Sequence, residues 1–170
     1  LEDVEGVISA ESGYSGGHVE NPTYQQVSGE KSGHQEVVRV RFDADKISYA
    51  TLLQHYWRNI DPLDGQGQFC DRGDSYRPVI FTAGEQQATA AKASAASAAS
   101  ELGVSKSKIK VQIRDAVQFW PAEDYHQDYA NNNELRYRYY RFSCGRDRRL
   151  DAVWGERARS GASWVAPLTP

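Results

Sequence analysis

The sequence predicts an α/β (α+β) two-layer sandwich, on three observations. Short runs alternate apolar and polar residues as half-buried strands do, Glu36-Val37-Val38-Arg39-Val40-Arg41-Phe42 being the clearest. Two stretches, 48–59 and 85–102, carry helical spacing or helical composition. The order along the chain is strand, strand, helix, strand, helix, strand, then helices.

Residues 7–13 read as a strand running into the turn Gly13-Tyr14-Ser15-Gly16-Gly17. A polar loop, 18–33, leads to the second strand, in which Val38, Val40 and Phe42 face one side and Val37, Arg39 and Arg41 the other. Ser48 is placed to cap a helix to about Asn59, with Leu52, Leu53, Tyr56, Trp57 and Ile60 at helical spacing. A long loop, 61–74, holds Pro62 and three glycines (Gly65, Gly67 and Gly73), and a loop of that length inside a compact domain is usually functional or disordered. Residues 77–82 read as a third strand and 85–102 as an alanine-rich helix ended by Gly103. Residues 109–114 alternate as a fourth strand. Pro121 opens a short helix through Tyr129, with Glu123 and Asp124 in its first turn, where the helix dipole favours acids. A further helix is expected over 134–142.

This order fits a split βαβ, ferredoxin-like core with a mixed sheet if one strand and one helix precede Leu1. The sequence has no methionine, which also points to a chain start upstream. The expected domain is 1–155, incomplete at its N-terminus, with an irregular tail over 156–170.

The 170 residues fit one domain. A net charge of -3 offers no basic face for nucleic acid. No apolar run approaches a membrane span, and no leader resembles a signal peptide. Two cysteines, Cys70 and Cys144, are too few for a disulfide scaffold, so a reducing, cytoplasmic setting is the default. They could pair, or one could be reactive. A monomer is expected.

Four clusters could carry chemistry: Gly13-Tyr14-Ser15-Gly16-Gly17-His18 with Asn21-Pro22-Thr23-Tyr24; Gly33-His34-Gln35-Glu36; Asp71-Arg72-Gly73-Asp74-Ser75-Tyr76-Arg77; and Pro121-Ala122-Glu123-Asp124-Tyr125-His126-Gln127-Asp128-Tyr129. Taken singly, each is bland. Glu36 reads as a solvated strand-end carboxylate, Tyr24 and Tyr76 as packing residues with a hydrogen-bonded tip, Asp71 as a turn former, and His126 as a structural histidine. Taken together and in this order, over about residues 6–130, the set resembles the methionine sulfoxide reductase A family.

The resemblance implies reduction of methionine S-sulfoxide, free or in proteins, by thiol chemistry through a sulfenic acid and then a disulfide. It implies thioredoxin as the external reductant and no bound cofactor. Glu36 matches the family's proton-donating acid. Tyr24 and Tyr76 match the phenols that bind the sulfoxide oxygen, and Asp71 matches the aspartate that shapes their pocket. Cys144 lies where the family often keeps a resolving cysteine. The family's nucleophile sits in Gly-Cys-Phe-Trp, which occurs nowhere in these residues. Cys70 stands beside Asp71, whose charge disfavours a thiolate, so it is not expected to replace that nucleophile.

Two expectations follow: the encoded chain extends upstream into that motif, and the 170 residues alone do not reduce a sulfoxide. An alternative is a binding module that keeps the sulfoxide pocket without the chemistry. A metal enzyme using His18, His34, His126 and Glu123 is a weaker reading, because no His-x-x-x-His or Cys-x-x-Cys accompanies them.

Overall fold

A computed structural model describes residues 1–165. Strand β1 (Val7–Ser15) pairs antiparallel with β2 (Gln35–Phe42), setting Tyr14 opposite Glu36. On the other edge of β1 lies β7 (Phe119–Pro121), with Tyr14 opposite Trp120 and Gly13 opposite Pro121. Gly13 is required there, because a Cβ would collide with the Phe119 ring and the Trp120 carbonyl.

The expected helix start at Pro121 is therefore corrected. This proline ends an edge strand, where its missing N–H leaves no gap inside a ladder. A single 3₁₀ turn at Asp124–His126 follows, and only then α4 (Tyr129–Asn132).

The second sheet is a parallel pair, β5 (Val79–Thr82) with β6 (Gln112–Asp115), joined through α3 (Glu85–Glu101) as a βαβ unit. Both strands start later than predicted, since 3₁₀ turns at Asp74–Tyr76 and Lys106–Lys108 precede them and Pro78 has no N–H for a ladder. The class is the predicted α/β, but the strands divide among separate sheets where one mixed sheet was expected. Arg114 bridges the two larger sheets, donating to Gln35 Oε1 at 2.9 Å and to the Gly16 carbonyl at 3.1 Å.

The main core lies between α3, α2 (Tyr49–Trp57) and a helix not foreseen, α6 (Arg146–Trp154). Ser48 caps α2 as expected, accepting from the Thr51 N–H. Ala91, Ser94 and Ala98 are small enough for α3 to approach α2 closely, and Ser94 Oγ accepts the Trp57 indole N–H at 2.9 Å. Leu150 and Trp154 of α6 close this core, and the Trp154 indole donates to the Ile60 carbonyl. The described part of the tail is anchored, not loose. Buried Arg58 forms a forked pair with Glu101 and donates to the Ala162 carbonyl, while Trp164 lies over its guanidinium. Residues 166–170 of the expected tail lie outside the described residues.

A smaller core holds Tyr14, Val27 and Ala122, with Tyr24 and Trp120 against them. It packs α1 (Tyr24–Ser28) onto the three-stranded sheet, and this is where the candidate site forms. Helix α1 was not foreseen, although Thr23 and Gln26 make a full capping box at its start.

Within the loop 61–74, β3 (Gly67–Gln68) and β4 (Asp71–Arg72) form a small hairpin. Its tip residue Cys70 is bonded to Cys144, which follows α5 (Glu134–Ser143).

Candidate active site

Three of the predicted residues converge. Glu36 stands near the start of β2, Tyr24 opens α1, and Tyr76 ends the 3₁₀ turn after the hairpin. The Tyr76 phenol interacts with the side chains of both Tyr24 and Glu36. Burial, reinforced by these two neighbours, pushes the Tyr76 pKa well above the usual phenol range, so it is a neutral O–H donor at any physiological pH.

Glu36 is held above the ordinary carboxylate range. Burial is the main cause, partly offset by the Tyr76 hydroxyl and reinforced by the charges of Asp71, Glu30 and Glu123. Its Oε1 is buried without a hydrogen-bond partner. A buried oxygen left unpaired is costly, which makes Glu36 a candidate functional group.

The turn that carries Tyr76 is fixed from behind. Glu30, just past α1, accepts from the Ser75 N–H at 3.0 Å and from its hydroxyl at 2.8 Å. Gly73 makes this possible, since a Cβ there would run into the Glu30 carboxylate.

Asp71 is close enough to act on Glu36 through its charge, but its carboxylate accepts the Tyr140 hydroxyl of α5 at 2.6 Å. Cys144 is held in a disulfide. Its sulfur is joined to Cys70, the residue beside Asp71, with the two Cα atoms 5.4 Å apart. The hairpin is thus tied to the end of α5 twice, by that bond and by Tyr140. Neither cysteine is a free thiol in this structure.

Four residues were missed as parts of this site. Tyr14, only 2% exposed, donates its hydroxyl to Glu123 Oε2 at 2.7 Å. Glu123 Oε1 accepts the Tyr24 backbone N–H at 2.8 Å. Burial opposes ionisation of Glu123, yet these two bonds outweigh it and set its pKa below the ordinary value. Gln127 bonds both the N–H and the carbonyl of Ser12, fastening the segment after β7 to β1. His126 packs on the Tyr24 ring with centroids 4.7 Å apart, and its Nε2 is buried without a partner. All four lie in or opposite the quoted motifs, but their pairing spans about a hundred residues and no local pattern announces it.

The metal reading gains nothing here. Among the described residues, no group of three or more His, Cys, Asp or Glu is arranged to hold an ion. His34 instead accepts from the Gly17 N–H and donates to the Val19 carbonyl, which fixes its tautomer and the glycine turn.

The two carboxyls of the site are therefore driven in opposite directions, Glu36 toward the neutral acid and Glu123 toward the anion. Opposite shifts on neighbouring carboxyls are the arrangement that lets one group hold a proton over a pH range in which the other is charged.

Residues 1–158 match the family described as peptide methionine sulfoxide reductase. A Rhizobium meliloti protein named peptide methionine sulfoxide reductase MsrA 2 is 49% identical over 94% of this chain and 78% of its own length. A Caulobacter vibrioides protein of the same name is 51% identical over 91% of this chain and 78% of its own. Among solved structures, methionine sulfoxide reductase A of Corynebacterium diphtheriae superposes with a TM-score of 0.69 at 31% identity, over 76% of this chain and 66% of that one. Reduced Mxr1 from Saccharomyces cerevisiae gives a TM-score of 0.70 at 24% identity, over 75% of this chain and 72% of that one, a likeness of fold.

Proposed function

The chain belongs to the peptide methionine sulfoxide reductase family, and from that premise we propose that Tyr24, Tyr76 and Glu36 bind the oxygen of methionine S-sulfoxide, with Glu36 as the proton donor. The supporting observation is the Glu36 carboxyl: biased toward its protonated form, unpartnered at Oε1, and beside a phenol that stays neutral.

The chemistry makes that arrangement useful. A cysteine thiolate attacks the sulfoxide sulfur, and the oxygen gains a proton and passes to the attacking sulfur as a sulfenic acid, releasing methionine. The developing negative charge sits on the oxygen, where two phenols and a carboxylic acid stabilise it. A second thiol then condenses with the sulfenic acid, forming a disulfide and water, and a thioredoxin-type dithiol reduces that disulfide.

Cys144 takes the part of the second thiol. Cys70 is the exposed half of the existing bond and Cys144 is half-buried. A dithiol that attacks Cys70 sulfur releases the Cys144 thiol for this step. The substrates are oxidised methionines, free or in proteins. The setting is the cytoplasm, and the acting unit is a monomer.

Gly-Cys-Phe-Trp is absent from these residues, and both thiols are engaged with each other. The 170 residues by themselves accordingly bind the sulfoxide without turning it over. Calorimetric titration with an N-acetylated, C-amidated tripeptide centred on methionine S-sulfoxide tests this. Binding is expected for the unaltered chain and loss of it for Tyr24→Phe with Tyr76→Phe. An unaltered chain that ignores the peptide refutes the site. Release of methionine by these residues alone refutes the division between binding and attack.

A further inference from the structure

We infer that Glu123 is the positioning residue of the sulfoxide site, one carboxylate that fixes Tyr24 and the strand carrying Glu36 relative to each other. This deepens the function proposed above and rests on it.

The geometry runs through three elements. Tyr24 is the first residue of α1, so its N–H has no partner inside the helix. Glu123 Oε1 supplies one at 2.8 Å. The other oxygen, Oε2, accepts the Tyr14 hydroxyl at 2.7 Å, and Tyr14 is the central strand's cross-strand neighbour of Glu36. Glu123 itself follows β7, whose pairing with β1 fixes where its side chain starts. The same turn reaches Tyr24 a second time through the ring of His126. Glu123 thus grips the backbone of Tyr24 while His126 packs on its ring.

Glu123 touches neither Glu36 nor the Tyr76 phenol by any hydrogen bond among the described residues. Its influence passes through Tyr14 and Tyr24. A carboxylate suits the task better than an amide. Both of its oxygens accept, and both of its partners are donors. In Glu123→Gln the amide oxygen can keep the Tyr24 N–H, but the NH₂ group cannot accept the Tyr14 hydroxyl, which has to turn and accept from it, and the charge on both bonds is lost. Charge-assisted bonds of this kind are also the stronger ones. Small misplacements of binding groups carry large penalties, so a tenfold to about hundredfold loss of sulfoxide affinity is expected for Glu123→Gln.

The test measures affinity for the same sulfoxide tripeptide across pH, in the unaltered chain, Glu123→Gln, Tyr14→Phe and Tyr76→Phe. Near-UV circular dichroism accompanies each titration as a check of fold. The groups facing Glu123 are Tyr14 from β1, Tyr24 from α1, and Tyr125 and His126 from its own turn, with Glu36 of β2 within range of its charge. A positioning role predicts two limbs in the unaltered chain. Affinity falls toward acid as Glu123 takes up a proton, and toward alkali as Glu36 loses one. Glu123→Gln is expected to abolish the acid limb and keep an alkaline one, whereas a residue that merely supports the fold would lower affinity equally at every pH. Tyr14→Phe, which removes one bond and leaves the Tyr24 N–H contact, is expected to give a smaller loss.

Equal affinity of Glu123→Gln and the unaltered chain, with Tyr76→Phe impaired, overturns the inference and leaves the site standing. Equal affinity in Tyr76→Phe as well overturns the site, and the inference falls with it. If Glu123→Gln loses its near-UV signal, Tyr14→Phe decides: unchanged affinity there overturns the inference.

Discussion

Reducing the Cys70–Cys144 bond should cost this protein a large share of its stability. The bond closes a loop across a sequence separation of 74. Cross-linking positions that far apart removes conformational entropy from the unfolded chain worth about 4.5 kcal/mol at 25 °C. A domain of this size is stable by roughly 5–15 kcal/mol in total. What remains to hold the hairpin to α5 after reduction is chiefly the Tyr140–Asp71 contact, an exposed hydrogen bond to a charged group. Such a bond contributes about 1.5–3 kcal/mol at most, and less with solvent access. Urea denaturation followed by tryptophan fluorescence, with and without dithiothreitol, measures the difference. Slopes of about 1–3 kcal/mol per molar urea turn the expected loss into a midpoint shift of roughly 1.5–4.5 M. The Cys70→Ser, Cys144→Ser double variant should match the reduced protein and ignore the reductant. A reduced protein within about 1 kcal/mol of the oxidised one would refute the reasoning, since the loop-closure argument depends only on the separation of the joined positions.

Three further outcomes follow from the same structure. Glu36→Gln should lower sulfoxide reduction by about 10²–10⁴-fold in a protein equipped with the attacking thiol, the range for losing a general acid. The same variant should be more stable than the unaltered chain at neutral pH. The folded state holds the Glu36 proton more tightly than the unfolded state, so stability is greatest below the ordinary carboxylate pKa and declines as pH rises through the raised one; thermal melts at pH 4 and pH 7 read the difference, and a variant that melts earlier at both pH values contradicts it. Leu150→Ala, at a fully buried position in the core that holds Trp57 and Trp154, should cost roughly 2–5 kcal/mol in urea denaturation, whereas Leu135→Ala on exposed α5 should change little. Gly13→Ala should cost about 1–3 kcal/mol by forcing β7 away from β1, and it should weaken sulfoxide binding as well, because Glu123 follows the displaced strand.

What could be read beforehand, and what could not, divides by the range of the interaction. Strand β2 and helix α2 were legible from the local spacing of their apolar residues, and α3 from its alanine content, so the signal in each lies within its own sequence. Helix α6 was legible in principle, with Leu150, Val153 and Trp154 at helical spacing between Gly145 and Gly155, but the arginines around them hide a short apolar stripe. Pro121 was misread because proline suits a first helical turn and an edge strand equally; the choice was made by β1, more than a hundred residues earlier. The division into separate sheets has the same origin, since strand order is a property of pairings.

The site divides in the same way. Glu36, Tyr24, Tyr76 and Asp71 came from a family resemblance; read from local chemistry alone, Glu36 was a solvated carboxylate and Tyr24 a packing residue. Glu123 was visible as an acid near a predicted helix start, a reading that explained its presence and misassigned its work. The two glutamates are the same residue type with the same intrinsic acidity. Burial beside three other carboxylates shifts Glu36 toward its protonated form, whereas two donors, the Tyr14 hydroxyl and the Tyr24 N–H, shift Glu123 toward its ionised form. The difference between acid and anchor therefore resides in which donors each carboxyl meets after folding. Exchanging those surroundings should exchange the roles, and a substitution that removes the donors of Glu123 should do more to its charge than any change in the residues next to it in sequence.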